Sequence, residues 1–215
     1  MQTTIFKGVS ILLIRSRETG SLGANCYLVA CEQTRLGLLI DPGADAAQII
    51  EMVQEAGITI KYIVNTHGHV DHVGANAAVR EAFAAPIVIH TADSQLYRRP
   101  KESLTLFFGD AELAEADQLV QDGDQLQVGQ LAVTVLATPG HTKGSICLLV
   151  GDALFSGDTL FAGSIGRTDF PGGSASEIIT SIKEKLLVLP PTTKVYPGHG
   201  PQTTIGTEKA HNPFL

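Results

Sequence analysis

The run Thr66-His67-Gly68-His69-Val70-Asp71-His72 constrains the fold and chemistry of this chain more than any other feature. It places four side chains able to bind a metal, three imidazoles and one carboxylate, within six residues. Neutral imidazole nitrogen and carboxylate oxygen suit zinc, and also iron or manganese. His67 and His69 project to the same side of an extended loop, whereas Asp71 and His72 follow one step later and can turn toward a second position. One short segment could therefore serve two adjacent ions.

The composition predicts one globular domain over residues 1–215. Hydrophobic residues make up 44% of the chain and charged residues 17%, as in ordinary folded proteins. A net charge of -7 weighs against nucleic acid as the main partner, because phosphate binding needs clustered lysine and arginine. The apolar run from Ile11 to Ile14 is too short for a signal-peptide core, and no segment approaches a membrane span. We interpret Cys26, Cys31 and Cys147 as buried reduced thiols and expect a cytoplasmic protein.

Strand and helix patterns occur twice along the chain, in two similar halves. The first half predicts strands from Val9 to Arg15, Cys26 to Ala30, Leu36 to Ile40, Tyr62 to Asn65 and Pro86 to His90, with helices from Asp45 to Ala56 and from about His72 to Ala84. The second half predicts strands at Leu126 to Val128, Leu131 to Leu136, Ile146 to Val150, Ala153 to Ser156 and Lys194 to Tyr196, with a helix from Ser174 to Leu189. Between the halves, Ala92 to Ala116 is predicted as helix and loop. This order indicates two sheets packed face to face with helices outside.

Three further polar residues each follow a predicted strand and stand beside glycine. They are His141 in a Thr-Pro-Gly-His-Thr run, Asp158 in Gly-Asp-Thr and His199 in Gly-His-Gly. Loops at strand ends often carry functional residues because the scaffold beneath them is rigid, and glycine lets the backbone approach a metal closely. His90 and His211 lack this setting, and we interpret them as hydrogen-bonded core residues.

The HxHxDH run, followed by His, Asp and His in these settings, resembles the metallo-beta-lactamase fold superfamily from about Val9 to the C-terminus. The run Asp41-Pro42-Gly43 matches the first motif of that superfamily as well. The resemblance implies an α/β (α+β) fold in the form of a four-layer αββα sandwich. It also implies a binuclear site with zinc as our first choice and iron or manganese as alternatives. In that site His67, His69 and His141 would bind the first ion, Asp71, His72 and His199 the second, and Asp158 would bridge the two, with Asp41 orienting a ligand from behind.

A binuclear site of this kind predicts hydrolysis without a protein nucleophile. A hydroxide held between two ions would attack an acyl carbonyl, the ions would stabilise the developing oxyanion, and Asp71 would briefly accept a proton. A thioester suits such a site because a thiolate is a good leaving group that zinc also favours. The sequence therefore predicts a small-molecule thioester as the substrate.

Finer motifs resemble the glyoxalase II group, the hydroxyacylglutathione hydrolases. They are the runs Asp71 to Ala75, Gly157 to Phe161 and Gly166 to Phe170. Arg167 matches a basic position that lies beside the glutathione site in that group, and the closing segment from Pro197 to Leu215 is similar to its short bacterial members. Longer members carry a C-terminal helical domain that grips glutathione, and a tyrosine where Gly200 and Pro201 stand here. We therefore expect an open, shallow site that discriminates weakly among hydroxyacyl thioesters such as S-lactoylglutathione.

Other functions remain compatible with these motifs. Persulfide dioxygenases share the fold, much of the HxHxDH motif and a stretch like Gly166 to Phe170, but they use a single iron held by the counterparts of His67, His141 and Asp158. The complete set of second-site ligands favours a hydrolase over this alternative. A lactonase or beta-lactamase matches less well outside the metal motif. A metal-binding protein without catalytic activity is a further possibility, which would bind metal but turn over no ester, thioester or lactam.

Overall fold

The computed structural model describes residues 12–96 and 114–215, and its central strands are apolar on both faces. In β2 (Ala24–Cys31), alternate residues belong to different cores, because successive side chains of a strand point to opposite faces. Tyr27 and Val29 pack into the core between the two sheets, whereas Leu28 and Ala30 pack into a core shared with helices. A strand buried on both sides needs a covering layer on each side.

Two six-stranded sheets supply these layers. The first sheet has the order β1 (Leu12–Thr19), β2, β3 (Leu36–Ile40), β4 (Thr59–Val64), β5 (Ile87–His90) and β6 (Gln118–Val120). The second has the order β14 (Thr203–Thr204), β13 (Lys194–Pro197), β10 (Ala153–Gly157), β9 (Ile146–Val150), β8 (Leu131–Ala137) and β7 (Gln125–Val128). Strands β11 (Leu160–Phe161) and β12 (Ser164–Ile165) form a small separate hairpin.

Helices cover the outer face of each sheet. The first sheet packs against α1 (Ala46–Ala56) and α3 (Asn76–Phe83), whose apolar residues join its outer core. The second packs against α4 (Ala175–Ser181), which continues as a π-helical turn over Ile182–Leu186, and against α5 (Ile205–His211). The predicted αββα sandwich is confirmed.

Strand direction brings the predicted site residues to one edge of the sandwich. Strands β3 and β4 are parallel, and β10 is parallel to β13. Strand β8 runs in the same direction as β10, because each is antiparallel to β9 between them. Asp41 and the histidine run follow β3 and β4, while the segments after β8, β10 and β13 carry the three later site residues. The carboxyl ends of parallel strands lie at the same edge of a sheet, and the loops at that edge commonly form ligand-binding sites.

The structure corrects several sequence predictions. The helix predicted from His72 to Ala84 is two helices, α2 (Val70–Val73) and α3, separated by a turn at Gly74 and Ala75. The turn packs on the neighbouring loop, since Ala75 N donates to Pro42 O at 3.0 Å and a Cβ on Gly74 would lie 2.5 Å from Gly43 O. Strands β6, β11, β12 and β14 and helix α5 were not predicted, being two to seven residues long with little periodicity.

Other predictions are confirmed or fall outside the described residues. The three cysteines are buried and free, as predicted. The first predicted strand is β1, which begins at Leu12 among the described residues and extends to Thr19. Most of the predicted helix and loop from Ala92 to Ala116 lies outside them. Within the described ranges, no helix is both long enough and apolar enough to span a membrane.

Candidate metal centre

The histidine run forms the inner wall of the site. After β4 the chain bends at Thr66 and His67, is extended at His69 and then turns into the short helix α2 at Val70. The helical turn sends Asp71 and His72 in different directions, because successive helical residues are about 100° apart. His67, His69 and His72 are 1%, 3% and 0% exposed. The predicted change of direction after His69 is therefore present, and α2 is its physical cause.

Three separate turns of the second sheet complete the wall. His141 follows β8, Asp158 follows β10 and His199 follows β13. The glycine before His199 is required by space, since a Cβ on Gly198 would lie 2.3 Å from Asp158 Oδ1 and 2.8 Å from His72 Cε1. The close approach that the flanking glycines predicted therefore exists at this position.

All seven predicted ligands come together, in three overlapping donor groups. The groups are His67, His69 and His141, then His67, His72 and Asp158, and then Asp71, His72 and His199, each with its donor atoms within 4.8 Å of one another. His67 and His72 each belong to two groups, so the three groups form one continuous cluster. Its imidazole and carboxylate donors are those of zinc, iron and manganese sites.

Asp158 lies at the centre of this cluster. Its Oδ1 is 3.4 Å from His72 Nε2, and its Oδ2 is 3.5 Å from His141 Nε2 and 3.7 Å from His199 Nε2. Asp71 faces the same space from the other side, with Oδ2 at 3.3 Å from His199 Nε2 and 3.6 Å from His72 Nε2. The Asp158 carboxylate therefore contacts members of both outer groups.

Outer hydrogen bonds orient three of the imidazoles. His141 Nδ1 donates to Arg167 O at 2.7 Å, His199 Nδ1 to Leu22 O at 3.2 Å and His72 Nδ1 to a carboxylate oxygen of Asp41 at 3.0 Å. Each bond assigns the Nδ1 proton and turns Nε2 toward the cluster. Fixing the tautomer by a partner at the far ring nitrogen is common for metal-binding histidines.

Asp41 orients two histidines at once. Its backbone has a positive φ of 51°, which turns the buried carboxylate from the end of β3 toward β4. There it accepts hydrogen bonds from Thr66 N at 2.7 Å and Thr66 Oγ1 at 2.6 Å, in addition to the one from His72. Because the Thr66 hydroxyl gives its proton to Asp41, its oxygen accepts from His67 Nδ1 at 3.1 Å. The outer role predicted for Asp41 is consistent with these contacts.

The cluster contains two electrostatic environments. Burial and the neighbouring histidines hold the pKa of His67 well below its usual value and lower the pKa of His69 to about 3. Burial also acts to lower the pKa of His72, but Asp158, Asp71 and Asp41 outweigh it and raise the pKa to about 10. Around His199, hydrogen bonding to Asp71 and the charge of Asp158 likewise overcome burial and raise the pKa. His67 and His69 are thus neutral at pH 7, whereas the carboxylate-rich side attracts positive charge.

Atoms without partners test whether this cluster fits a cation. Among the described residues, the buried side-chain atoms that lack a hydrogen-bond partner are His67 Nε2, His69 Nε2 and Asp158 Oδ1, all within the cluster. In addition, His69 Nδ1 is 2.9 Å from His141 Nε2, a distance at which two lone pairs repel unless a proton or a cation lies with them. Buried polar atoms are normally satisfied, so these orphans support metal binding by this donor set.

A cavity of about 650 Å³ opens onto the cluster. Its described lining combines His69, Asp71, His141, Asp158 and His199 with apolar walls from Leu22, Phe161, Ile165 and Phe170. Arg167 also lines the cavity, but its guanidinium is engaged by Asp169 through two hydrogen bonds of 2.7 Å and stacks 3.7 Å above the Phe170 ring. The residue predicted to contact substrate is therefore at the cavity, with its charge already paired.

Some site contacts were not predicted from the sequence. Thr66 begins the histidine run but was given no role there, and the carbonyl of Leu22 belongs to no motif, yet they hydrogen-bond His67 and His199. Asp93 was also missed, although it follows a strand closely, as the predicted ligands do. Of the two histidines interpreted as core residues, His90 is half-buried and accepts from Ala92 N at 3.2 Å. His211 is exposed in the last turn of α5, so its core assignment was wrong.

Sequence comparison identifies relatives over nearly the whole chain. The profile of the metallo-beta-lactamase superfamily matches residues 19–199. A probable metallo-hydrolase of Bacillus subtilis is 38% identical, covering 94% of this chain and 96% of its own length. A hydroxyacylglutathione hydrolase of Haemophilus influenzae is 36% identical, covering 89% of this chain and 92% of its own.

The solved structures that resemble this chain include proteins with different names. The crystal structure of the BLEG-1 B3 metallo-beta-lactamase has a TM-score of 0.88 at 36% identity, covering 94% of this chain and 99% of the other. That of ETHE1 from Myxococcus xanthus has a TM-score of 0.79 at 37% identity, covering 94% and 83%. A protein solved in a di-iron-bound form has a TM-score of 0.83 at 37% identity, covering 94% and 100%.

Proposed function

Because the chain belongs to the metallo-beta-lactamase superfamily, we propose that it is a metal-dependent hydrolase of thioesters, with hydroxyacyl thioesters such as S-lactoylglutathione among its substrates. The observation that carries the proposal is the overlap of three donor groups through His67 and His72. A single ion needs only one such group. A continuous set of three supports a pair of adjacent ions, which is the arrangement of many hydrolytic sites.

We assign the ligands by the geometry of the cluster. The first ion would be held by His67, His69 and His141, and the second by Asp71, His72 and His199. Asp158 would contribute to both, since its Oδ2 is 3.5 Å from His141 Nε2 and 3.7 Å from His199 Nε2. Two divalent ions in these positions, with zinc as our first choice, would supply an activated water near neutral pH and polarise an acyl oxygen.

Asp71 is the proton acceptor in this proposal. It lines the cavity, and its side chain is 14% exposed, so its Oδ2 is within reach of solvent and substrate. Burial acts to raise the pKa of Asp71, but His72 and His199 beside it lower the pKa well below its usual range. Asp71 is therefore ionised at neutral pH, with an oxygen free to bind an ion or to accept a proton briefly.

The cavity and one relative support a thioester substrate. A volume of about 650 Å³ with apolar walls can accept an acyl group and part of a thiol carrier beside the cluster. The relative from Haemophilus influenzae, named a hydroxyacylglutathione hydrolase, supports a hydroxyacyl thioester in particular. Because Arg167 is already paired with Asp169, we expect only moderate preference for the anionic glutathione moiety.

A second candidate function is an iron-dependent dioxygenase. The observation that favours it is the similarity to ETHE1 from Myxococcus xanthus, at 37% identity. This function needs one iron, with His67, His141 and Asp158 as its ligands, and leaves Asp71 and His199 without a metal role. The structure solved with two irons also makes iron an alternative to zinc for the binuclear proposal.

Metal analysis combined with three assays separates these functions. The protein as purified is analysed for metal content and then tested with S-lactoylglutathione, an uncharged thioester and a lactam, and for oxygen consumption with glutathione persulfide. Two ions per chain with thioester hydrolysis supports the proposal. One iron with oxygen consumption supports the dioxygenase instead. Fully loaded protein that hydrolyses only the lactam, or no substrate at all, contradicts the thioester assignment.

A further inference from the structure

A buried carboxylate outside the proposed ligand set connects the two loops that form the first donor group. Asp93 ends a short 3-10 turn over Thr91–Asp93 directly after β5 and is 1% exposed. Its Oδ2 accepts from Gly68 N at 3.0 Å and from Thr142 Oγ1 at 2.7 Å, and its Oδ1 accepts from Gly144 N at 2.7 Å. Both of its oxygens are therefore used by donors from loops.

The donors belong to the loops of His67, His69 and His141. Gly68 lies between the first two histidines, and Thr142 directly follows the third. The two loops come from different sheets, and apart from one backbone hydrogen bond at their base, from Ile146 N to Thr66 O at 2.8 Å, no strand pairing sets the spacing between them. Hydrogen bonds to a buried carboxylate are short and strong, and two backbone donors with one hydroxyl fix its orientation.

The spacing of these two loops decides whether the histidine nitrogens can share an ion. His69 Nδ1 and His141 Nε2 are 2.9 Å apart across the gap that Asp93 spans from behind. Metal–ligand distances normally lie within about 0.2 Å of standard values, and losing an outer partner of a metal site costs about 10- to 100-fold in affinity. A small drift of one loop relative to the other is therefore enough to weaken binding.

We propose that Asp93 is a positioning residue that sets the spacing of the His67, His69 and His141 donor group and thereby the affinity of the first metal position. The inference rests on the proposed function only in requiring metal at this cluster. It does not depend on which substrate is cleaved. Since Asp93 does not line the cavity, it acts through the loops and not on the substrate.

The space around Gly144 supports a closely fitted contact. A Cβ at this position would lie 2.5 Å from Asp93 N and 2.6 Å from both Asp93 Cβ and Asp93 Cγ. The loop after His141 thus approaches the 3-10 turn as closely as a backbone without a side chain allows. A contact this tight transmits a displacement of one loop to the other instead of absorbing it.

Metal affinity in three variants tests the inference without an activity assay. Asp93→Asn keeps the size of the side chain but replaces one acceptor oxygen with a donor that faces a backbone N–H. Thr142→Val removes the hydroxyl that donates to Asp93 and also bonds Ser145 Oγ at 2.8 Å, and Thr142→Ser restores both bonds. Asp117→Asn is the matched control, because Asp117 also accepts from a backbone N–H, that of Ile87 at 2.9 Å, but is remote from the cluster.

Zinc affinity is measured by competition with a chromogenic chelator, and cobalt-substituted protein is examined by visible absorption. For one of the two zinc equivalents we expect Asp93→Asn to weaken binding about 10- to 100-fold and Thr142→Val about tenfold. Thr142→Ser should bind within about twofold of wild type, and Asp117→Asn should be unchanged, because neither disturbs the spacing of the loops. The cobalt spectrum should change in Asp93→Asn and Thr142→Val only, since it reports ligand geometry.

Thermal unfolding of the metal-free proteins separates positioning from general support of the fold. If Asp93→Asn and Thr142→Val lower the unfolding temperature of metal-free protein but bind zinc and cobalt like wild type, the inference is overturned. If Asp93→Asn fails to fold, the comparison of Thr142→Val with Thr142→Ser decides the question alone. Wild-type protein that binds no zinc overturns the inference together with the binuclear site. Wild-type protein that binds two ions but cleaves no thioester removes only the proposed substrate.

Discussion

The two halves of the sandwich build the site in different ways. The first sheet contributes four proposed ligands from one short segment after β4, with Asp41 on the adjacent strand end behind them. The second sheet contributes three, each from a separate turn after β8, β10 or β13. The first set needs one loop to fold correctly. The second set needs three strands to pair in the correct order before its members meet.

The halves also differ in exposure and in their outer partners. The histidines of the first segment are almost fully buried, and two of them, His67 and His72, donate to the side chains of Thr66 and Asp41. His141 and His199 of the second half donate to backbone carbonyls, and the side chain of His199 is 27% exposed. The first half therefore forms the rigid base of the site. The second half, together with Leu22 from the β1–β2 turn, supplies most of the cavity wall, to which the first segment adds His69 and Asp71.

Removing one histidine from each half gives the largest expected effect. His67→Ala deletes a donor shared by two of the three groups, so we expect loss of both ions and a fall in thioesterase activity of more than about 100-fold. His199→Ala deletes a donor found in one group, so about one ion per chain should remain. Metal content by elemental analysis, measured alongside activity, distinguishes the two variants.

His211→Ala is the control for this pair, because His211 is exposed and belongs to none of the donor groups. It should keep wild-type metal content and activity. If His67→Ala and His199→Ala lose the same amount of metal, the two halves contribute equally to metal binding. The contrast between a buried first half and a more exposed second half is then wrong.

A substitution behind the ligands tests the rigidity of the first half. Asp41→Asn keeps only one of the two acceptor oxygens that receive the three hydrogen bonds, and it loses the negative charge beside His72 Nδ1. We expect zinc affinity to fall about 10- to 100-fold, with activity following, because the outer partner orients two ligand imidazoles. Asp45→Asn is a close control. Asp45 also has a positive φ, 52°, and also accepts from a backbone N–H, that of Gly20, but at the surface.

The same contrast explains how much could be predicted from the sequence. The run from His67 to His72 is local, so its ligands and its change of direction were visible without a fold. The ligands of the second half were found because each follows a strand and stands beside glycine. The structure explains the glycine before His199, because a Cβ at position 198 would clash with Asp158 and His72.

Contacts that exist only after the sheets pack could not be predicted. The carbonyl of Leu22 orients His199 from 177 positions away. Every residue has a backbone carbonyl, so the sequence does not indicate which one makes this contact. Asp93 connects loops from two sheets, and its nearest donor along the chain is 25 residues distant. The break at Gly74 depends on the loop at Pro42 and Gly43, so local helical composition from His72 to Ala84 concealed it.

The carboxylate-rich part of the cluster predicts opposite pH trends for metal-free and metal-loaded protein. Asp158, Asp71 and Asp41 overcome burial and raise the pKa of His72 to about 10, above its value of roughly 6.5 in an unfolded chain. In metal-free protein, the stability contributed by this proton is complete below about pH 6.5 and is lost as pH rises toward 10. Metal binding needs neutral imidazole, so in loaded protein the stabilisation by zinc increases over the same interval.

Thermal unfolding at intervals from pH 6.5 to 9.5, with chelator or with zinc, measures these trends. The unfolding temperature of chelated protein should fall with rising pH, while the increment added by zinc should grow. His72→Gln should flatten the trend in the chelated protein, and His211→Gln should leave it unchanged. Parallel trends with and without zinc would mean that no proton is displaced from this cluster when metal binds.

The smallest expected effect concerns the cavity wall in the second half. Asp169→Asn removes the charge that holds the Arg167 guanidinium, an exposed pair of the kind that contributes little to stability. Freed from Asp169, Arg167 should lower the KM for the anionic S-lactoylglutathione by a small factor, about fivefold at most, with kcat unchanged. The KM for an uncharged thioester should not change, because that substrate gains no ion pair. Asp152→Asn disrupts a similarly exposed pair with Lys194, remote from the cavity, and should alter neither KM. A higher KM for the glutathione compound in Asp169→Asn would instead show that Asp169 holds Arg167 in the position that binds substrate. The cavity wall around Arg167 would then be as preorganised as the buried histidines of the first half.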